Sequence, residues 1–347
     1  MDQDVISSNP KNPKVTVLMP VFNGERYLHG AIESILNQTF RDFEFLIIND
    51  GSTDSSEYII TSCSDPRIRL VRNEKNLGLI ATLKKGFNLA LGEYIVRMDC
   101  DDISLPSRLA VQVRAMDRNQ EWGLCGSWIK ILKNSDAVWV QTYPSDHDTI
   151  KCELLFDTPM AHPSVIFRRS LLEKHSIYYD DRYKHAEDYE LWCRLIQITL
   201  LANIPQILLL YRMHGSQVGT RYFHDQRDMA NQIRIKQIES LGITPTEKEV
   251  EIHQKICTSL YKEKVSRDFI DNAERWFLKL HQVNVALSVF PEPAFSRTIG
   301  FRWFIVCKSA SEPLTWKINR FIKTPLRNTI KTDWKRLMDS FIANKIQ

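Results

Sequence analysis

Apolar runs and segments of helical period alternate through the first hundred residues of this chain. VTVLMPVF (15–22) is short and β-rich. GERYLHGAIESILNQ follows it, with Leu28, Ile32, Ile35 and Leu36 on one helical face. FEFLIIND (43–50) predicts a second strand, and Gly51-Ser52-Thr53-Asp54 a turn and helix start. IRLVRN (68–73) reads as a third strand, LIATLKKGFNLAL (79–91) as a second helix and EYIVRMD (93–99) as a fourth strand. Strands and helices alternating at this spacing imply a parallel sheet covered by helices. Ligands of such sheets sit outside the carboxyl ends of the strands. Pro20-Val21-Phe22-Asn23, Asn49-Asp50-Gly51 and Asp99-Cys100-Asp101-Asp102 all fall at strand ends, so three polar clusters converge on one edge.

From about 120 to 220 the pattern is mixed. WGLCGSWIKIL and SVIFRR read as strands and DYELWCRLIQI as a helix. Beyond about 222 it is helical. Thr244-Pro245-Thr246-Glu247 predicts a helix start, with Thr244 as N-cap, Pro245 in the first turn and Glu247 closing a capping box. A last helix has Ile330, Trp334, Leu337, Met338 and Phe341 on one face, with Lys331, Lys335 and Arg336 beside it.

The 347 residues suffice for one large domain with an appendage, or for two domains. Seven cysteines lie scattered without a C-x-x-C pair, which fits thiols in a reducing compartment rather than a disulfide framework or zinc site. The polar start MDQDVISSNPKNP has no apolar core of a signal peptide, and no run of about 18 apolar residues exists. These features imply a cytoplasmic protein. Net charge is +4, unevenly spread: from Phe301 onward ten Lys/Arg face three acids, which leaves the rest of the chain slightly acidic. Nothing else in the chain supports binding of nucleic acid.

Three aspartates within four residues, Asp99, Asp101 and Asp102, directly follow an apolar strand. Carboxylates that close repel one another unless they meet water or share a cation. A D-x-D at a strand end suits a hard divalent metal, Mn²⁺ or Mg²⁺, which bridges to diphosphate oxygens. A solvated surface turn is the competing explanation, and alignment with NDGSTD on another strand end favours the metal.

The stretches VTVLMPVFNGERYLHGAIESILNQTFRDFEFLIINDGSTDSS and NEKNLGLIATLKKGFNLALGEYIVRMDCDDISLPSRL resemble the family-2 glycosyltransferases of GT-A fold. The likeness is nearly continuous from about 14 to 113 and resumes at AHPSVIFRR, AEDYELWCRL and YRMHGSQ. It implies an α/β fold with a mainly parallel, Rossmann-like sheet flanked by helices. The implied organisation is a tail over 1–13, a glycosyltransferase domain over 14–221 and a helical region over 222–347. Within the domain, 14–113 would bind the nucleotide sugar and 114–221 would face the acceptor.

The resemblance also implies roles. Pro20, Phe22 and Glu25 would line the base and ribose of a nucleoside-diphosphate sugar, most often a uridine one, and Asp50 would hydrogen-bond the base. Asp99 would sit by the ribose and diphosphate, Asp101 would bind the metal, and His214 of YRMHGSQ would complete that site. Asp188 of the Glu187-Asp188 pair would be the general base of an inverting transfer. Asp102 would hold its loop or cap the next segment, and His162 would line the acceptor side or make a structural bond. Cys100 stands where the family more often has alanine. Trp122, Trp128 and Trp192 read as core or as sugar-stacking faces.

The implied reaction moves a sugar to a glycan or lipid-linked saccharide in assembly of bacterial polysaccharide, lipopolysaccharide or capsule. The basic tail would then lie on an anionic membrane, with Trp303, Trp316 and Trp334 near the headgroups, or else pack on its own domain. The membrane reading makes the protein peripheral on the inner face of the inner membrane. The alternatives are a sugar-phosphate nucleotidyltransferase, which would want a glycine-rich phosphate loop that PVFNGER does not supply, and a non-catalytic binding module.

Overall fold

A computed structural model describes residues 12–133, 136–215, 217, 221–258 and 263–329. The chain divides into two compact units, Met1–His147 with Pro159–Gln226, and Asp148–Thr158 with Arg227–Gln347.

The first unit is built on a mixed nine-stranded sheet. Strands β1 (Val15–Val21), β2 (Phe43–Asn49), β3 (Ile68–Arg72) and β4 (Tyr94–Arg97) are parallel, in the order β3-β2-β1-β4. Helices α1 (Glu25–Leu36), α2 (Ser56–Thr61) and α3 (Leu79–Leu89) form the crossovers, and α1 turns Leu28, Ala31, Ile32 and Ile35 into the core. Every residue of β1, β2 and β4 is buried, as expected for parallel strands covered on both faces. Pro20 has no N–H to donate, and the β1–β4 ladder ends before it, at Leu18 and Arg97.

Beyond β4 the sheet becomes mixed. The short β5 (Ile103–Ser104) and helix α4 (Arg108–Arg118) lead into β6 (Trp122–Lys133) and its hairpin partner β7 (Asp136–Gln141). After α5 (His147–Glu153), β8 (Ile166–Arg168) runs antiparallel between β4 and β6. Helices α6 (Arg169–His175) and α7 (Glu187–Leu195) precede β9 (Leu200–Met213), which lies parallel to β6 and antiparallel to β5. Pro205 and Gln206 bulge outward from β9: Ser127 pairs with Ile204, and the next residue, Trp128, pairs with Ile207.

The second unit is helical, with α8 (Phe223–Ser240, from Arg227 on), α9 (Glu247–Thr258), α10 (Arg267–Leu287), α11 (Ala294–Lys308) and α12 (Leu314–Ile322). Its core joins Leu155, Phe156, Ile256, Trp276, Phe277, Phe295, Trp303 and Phe321. Asp148–Thr158, expected within the acceptor-side half, belongs to this unit instead, because Cys152, Leu155 and Phe156 are part of that core. His253 is buried there, accepting from Trp276 Nε1 at Nδ1 (3.1 Å) and meeting the Leu155 carbonyl oxygen through Nε2 (2.9 Å).

Two expectations are corrected in this region. The capping box lies two residues further on: Glu249 N donates to Thr246 Oγ1, while Thr246 N donates to Glu249 Oε2 at 2.8 Å. Trp303 cannot lie at lipid headgroups. It is wholly buried, on a helix with eleven of its fifteen residues inside, the pattern of a central core helix rather than an interfacial one. Trp316 is half-buried against the same core, and Trp334, with the last expected helix, lies outside the described residues. No helix among the described residues is long and apolar enough to cross a membrane.

Candidate active site

The parallel strands β1, β2 and β4 deliver their carboxyl ends to one edge, and the loops there are laced to one another. Asp50 N donates to the Val21 carbonyl oxygen at 2.8 Å, and Thr53 N donates to Asn23 Oδ1 at 2.8 Å. Glu25 is engaged in the same lacing: its N–H reaches Asp54 Oδ2 and its own carboxylate accepts from Ser55 N, both at 3.0 Å. Phe22 projects from the end of β1 with 47% of its surface exposed, available to a planar ligand.

Asp50 is buried and accepts three hydrogen bonds: Asn73 Nδ2 (2.7 Å) and Leu77 N (2.9 Å) at Oδ1, and Gly78 N (2.9 Å) at Oδ2. A carboxylate has about four lone-pair sites, so one remains, on Oδ2. Asp50 therefore shapes the 73–78 loop as well as offering that last acceptor. Gly51 completes the turn at φ +67, and a Cβ there would lie 2.5 Å from the Lys75 carbonyl carbon.

At the end of β4, Asp99, Asp101 and Asp102 each bring a carboxylate oxygen within 4.8 Å of the others. At an effective dielectric of about 20, two such charges repel by about 3 kcal/mol. Burial and the neighbouring Asp101 charge push the Asp102 carboxyl well above its usual range, and burial likewise raises Asp99. Asp99 forms an ion pair with the buried Arg97, and Arg108 Nη2 donates to the carbonyl oxygens of Arg97 and Pro163, both at 2.8 Å. Asp102 is an anchor: its Oδ1 accepts from Arg212 N at 2.9 Å, tying β4 to β9. Its Oδ2 is buried with no hydrogen-bond partner among the described residues. Three crowded oxygen donors, two with raised pKa and one orphaned atom, fit a hard divalent cation.

His214 reaches the cluster from the end of β9, its Nε2 2.8 Å from Asp101 Oδ2. Gln217 Nε2 donates more weakly to the same oxygen at 3.4 Å. Arg212 stacks its guanidinium over Tyr27 at 4.6 Å, and the Tyr27 ring lies 5.0 Å from His214.

Across the site, α7 begins with Glu187 and Asp188. Asp188 is half-buried and its Oδ1 accepts from Tyr189 N at 2.8 Å. Burial, with the Asp188 charge, pushes the Glu187 carboxyl up to about 7. Tyr179 is buried, and its hydroxyl feels the charges of Arg97, Glu187, Asp188 and Asp99. Burial keeps it protonated and keeps His162 neutral, and Tyr179 OH lies 2.7 Å from His162 Nε2. Of the two readings of His162, this pair is the structural bond. Trp192 is buried in the core, and Trp128 donates to the Tyr143 carbonyl oxygen at 2.9 Å.

Sequence reasoning missed Arg97, Arg108, Tyr179 and Arg212. Arg97 had a signal, a charge inside an otherwise apolar strand. The other three depend on contacts between distant segments and carry none.

Residues 16–176 match the family described as glycosyl transferase family 2. A Haemophilus influenzae protein described as an uncharacterized glycosyltransferase is 33% identical over 239 residues, 65% of this chain and 73% of its own length. The chain belongs to glycosyl transferase family 2. Another relative of this transferase, WfgD of Escherichia coli, is 28% identical over 213 residues, 61% of this chain and 81% of its own. WfgD is described as a UDP-Glc:alpha-D-GlcNAc-diphosphoundecaprenol beta-1,3-glucosyltransferase. Among solved structures, S. aureus TarS 1–349 in complex with UDP-GlcNAc superposes with a TM-score of 0.55 at 16% identity, covering 96% of this chain and 92% of that one. The transferase has the GT-A fold, with additional C-terminal helices.

Proposed function

We propose that this transferase is metal-dependent and inverting, and moves a sugar from a uridine-diphosphate donor to a lipid-linked saccharide. One observation carries the reading: Asp101 stands among crowded carboxylates and within 2.8 Å of His214, on the edge where the β1 and β2 loops leave an exposed ring and an acceptor oxygen. The UDP-sugar bound to TarS and the description of WfgD support the choice of donor and acceptor class.

In this reading Phe22 and Pro20 flank the base, and the remaining Oδ2 lone pair of Asp50 accepts from its imide. Glu25 acts at one remove, by fixing the loop beside the ribose. Asp99 faces the ribose and diphosphate. Asp101 and His214 would hold a divalent cation, Mn²⁺ or Mg²⁺, which supplies positive charge to the departing diphosphate. Asp188 takes the proton of the acceptor hydroxyl as its oxygen attacks the anomeric carbon from the face opposite the diphosphate, which inverts the centre. The partly protonated Glu187 lowers the negative charge beside that base.

The test is incubation with UDP-sugars, Mn²⁺ and a GlcNAc-diphosphate-lipid acceptor. The expected product is one sugar heavier, with the anomeric configuration opposite to the donor's by proton coupling, and absent with Asp188→Asn. Retained configuration, or full activity of Asp188→Asn, contradicts the mechanism.

A further inference from the structure

The segment that follows β9 touches both ends of the candidate reaction centre. At one end His214 and Gln217 reach Asp101. At the other, the Tyr222 ring stacks on His185, with centroids 4.3 Å apart and planes 11° from parallel. Gln226 Nε2 donates to the His185 carbonyl oxygen at 2.9 Å. His185 lies just ahead of Glu187 and Asp188.

His185 has φ +72, in the left-handed region that glycine favours. A side-chain-bearing residue there is strained and persists only where its surroundings over-determine it. Here the ring is clamped by Tyr222 and the peptide by Gln226. If residue 185 relaxed to negative φ, the chain would enter α7 in a different direction. The first turn of α7, which carries Asp188, would turn with it.

We propose that Tyr222 and Gln226 are positioning residues for Asp188, holding His185 in its left-handed conformation and so aiming that carboxylate at the acceptor hydroxyl. The inference rests on the assignment of Asp188 as the base. It gives one stretch of chain two duties, since the segment that braces Asp101 also aligns Asp188. The stack uses the tyrosine ring and not its hydroxyl, so phenylalanine should serve.

The test uses the full chain with Tyr222→Ala, Gln226→Ala and Tyr222→Phe, beside Asp188→Asn. Three quantities are measured: hydrogen exchange over residues 186–190, affinity for UDP with Mn²⁺, and UDP release from UDP-glucose and UDP-N-acetylglucosamine with Mn²⁺ and a GlcNAc-diphosphate-lipid acceptor. Both alanine variants should exchange about tenfold faster over the start of α7, since its bracing is lost. Their kcat should fall about tenfold while KM and UDP affinity stay within about twofold, the signature of a misplaced group rather than a lost binding contact. Tyr222→Phe should match wild type in all three. Adding Tyr222→Ala to Asp188→Asn should cost almost nothing more, because the two act through one group.

Wild-type exchange in both alanine variants overturns the proposal, as does a loss of UDP affinity as large as the loss of kcat. A wild-type kcat in Asp188→Asn instead sinks the base assignment alone. The exchange data need no substrate and still decide whether Tyr222 and Gln226 hold His185.

Discussion

His214 Nε2 lies 2.8 Å from Asp101 Oδ2, although 113 residues separate them. The contact joins the last strand of the sheet to the acidic loop after β4, and Asp102 repeats that connection through the backbone of Arg212. An imidazole at this distance can either orient Asp101 or share the cation with it. In both roles its loss would weaken the proposed cation site.

His214→Ala should therefore raise the Mn²⁺ concentration needed for UDP binding by about 10- to 100-fold, the usual effect of losing a ligand's supporting partner. Calorimetric titration of Mn²⁺ at fixed UDP measures this directly. An unchanged Mn²⁺ dependence would remove His214 from the site.

Asp50→Asn replaces one accepting oxygen with a donor, so a backbone N–H of Leu77 or Gly78, or the Asn73 amide, loses its partner. Leaving such a group unsatisfied costs about 1–3 kcal/mol. The urea midpoint of the first unit should fall accordingly, and UDP affinity should fall with it because Asp50 is the proposed acceptor for the base. A variant as stable as wild type would show that Asp50 does not hold that loop.

Two buried groups should give opposite dependences of stability on pH. Burial lowers His253 to about 3, so the folded chain keeps it neutral while the unfolded chain protonates below its ordinary 6.5. Its contribution is whole above 6.5 and is lost as pH falls, at up to about 1.4 kcal/mol per pH unit. Glu187, raised to about 7, works in reverse: its contribution is whole below 4.5 and is lost as pH rises through 7. Between about pH 5 and 6.5 the two slopes oppose each other. Denaturant melts across that window should show stability falling with acid in Glu187→Gln and rising with acid in His253→Asn. Parallel curves in the two variants would contradict both assignments.

How much of this was legible in the sequence depended on how local each cause was. β1, β2 and β4 are mostly apolar runs ending in polar turns, and the D-x-D and Glu187-Asp188 pairs stand at the starts of loop and helix where the pattern predicts them. β9 was hidden: its run does not alternate, and Pro205 suggests a break, whereas the fold absorbs the proline in a bulge. The T-P-T-E stretch offers two threonines, each three residues before a glutamate, and only the observed helix start selects Thr246. Nothing local tells the apolar face of α5 that its partners lie in the helical unit. Trp303 beside basic residues resembles a membrane anchor until its helix is seen to be buried on most sides.

The most direct test of the central claim is thermal denaturation with UDP, with and without Mn²⁺, for wild type and Asp101→Ala. At about 100 times the dissociation constant, binding adds about 2.7 kcal/mol to the native state. That corresponds to a rise of about 5–10 °C for a unit of this size. The account predicts such a rise for wild type with UDP and Mn²⁺ together, little with either alone, and none for Asp101→Ala. An equal rise in Asp101→Ala, or none in a well-folded wild type, would contradict a metal–diphosphate site at the end of β4.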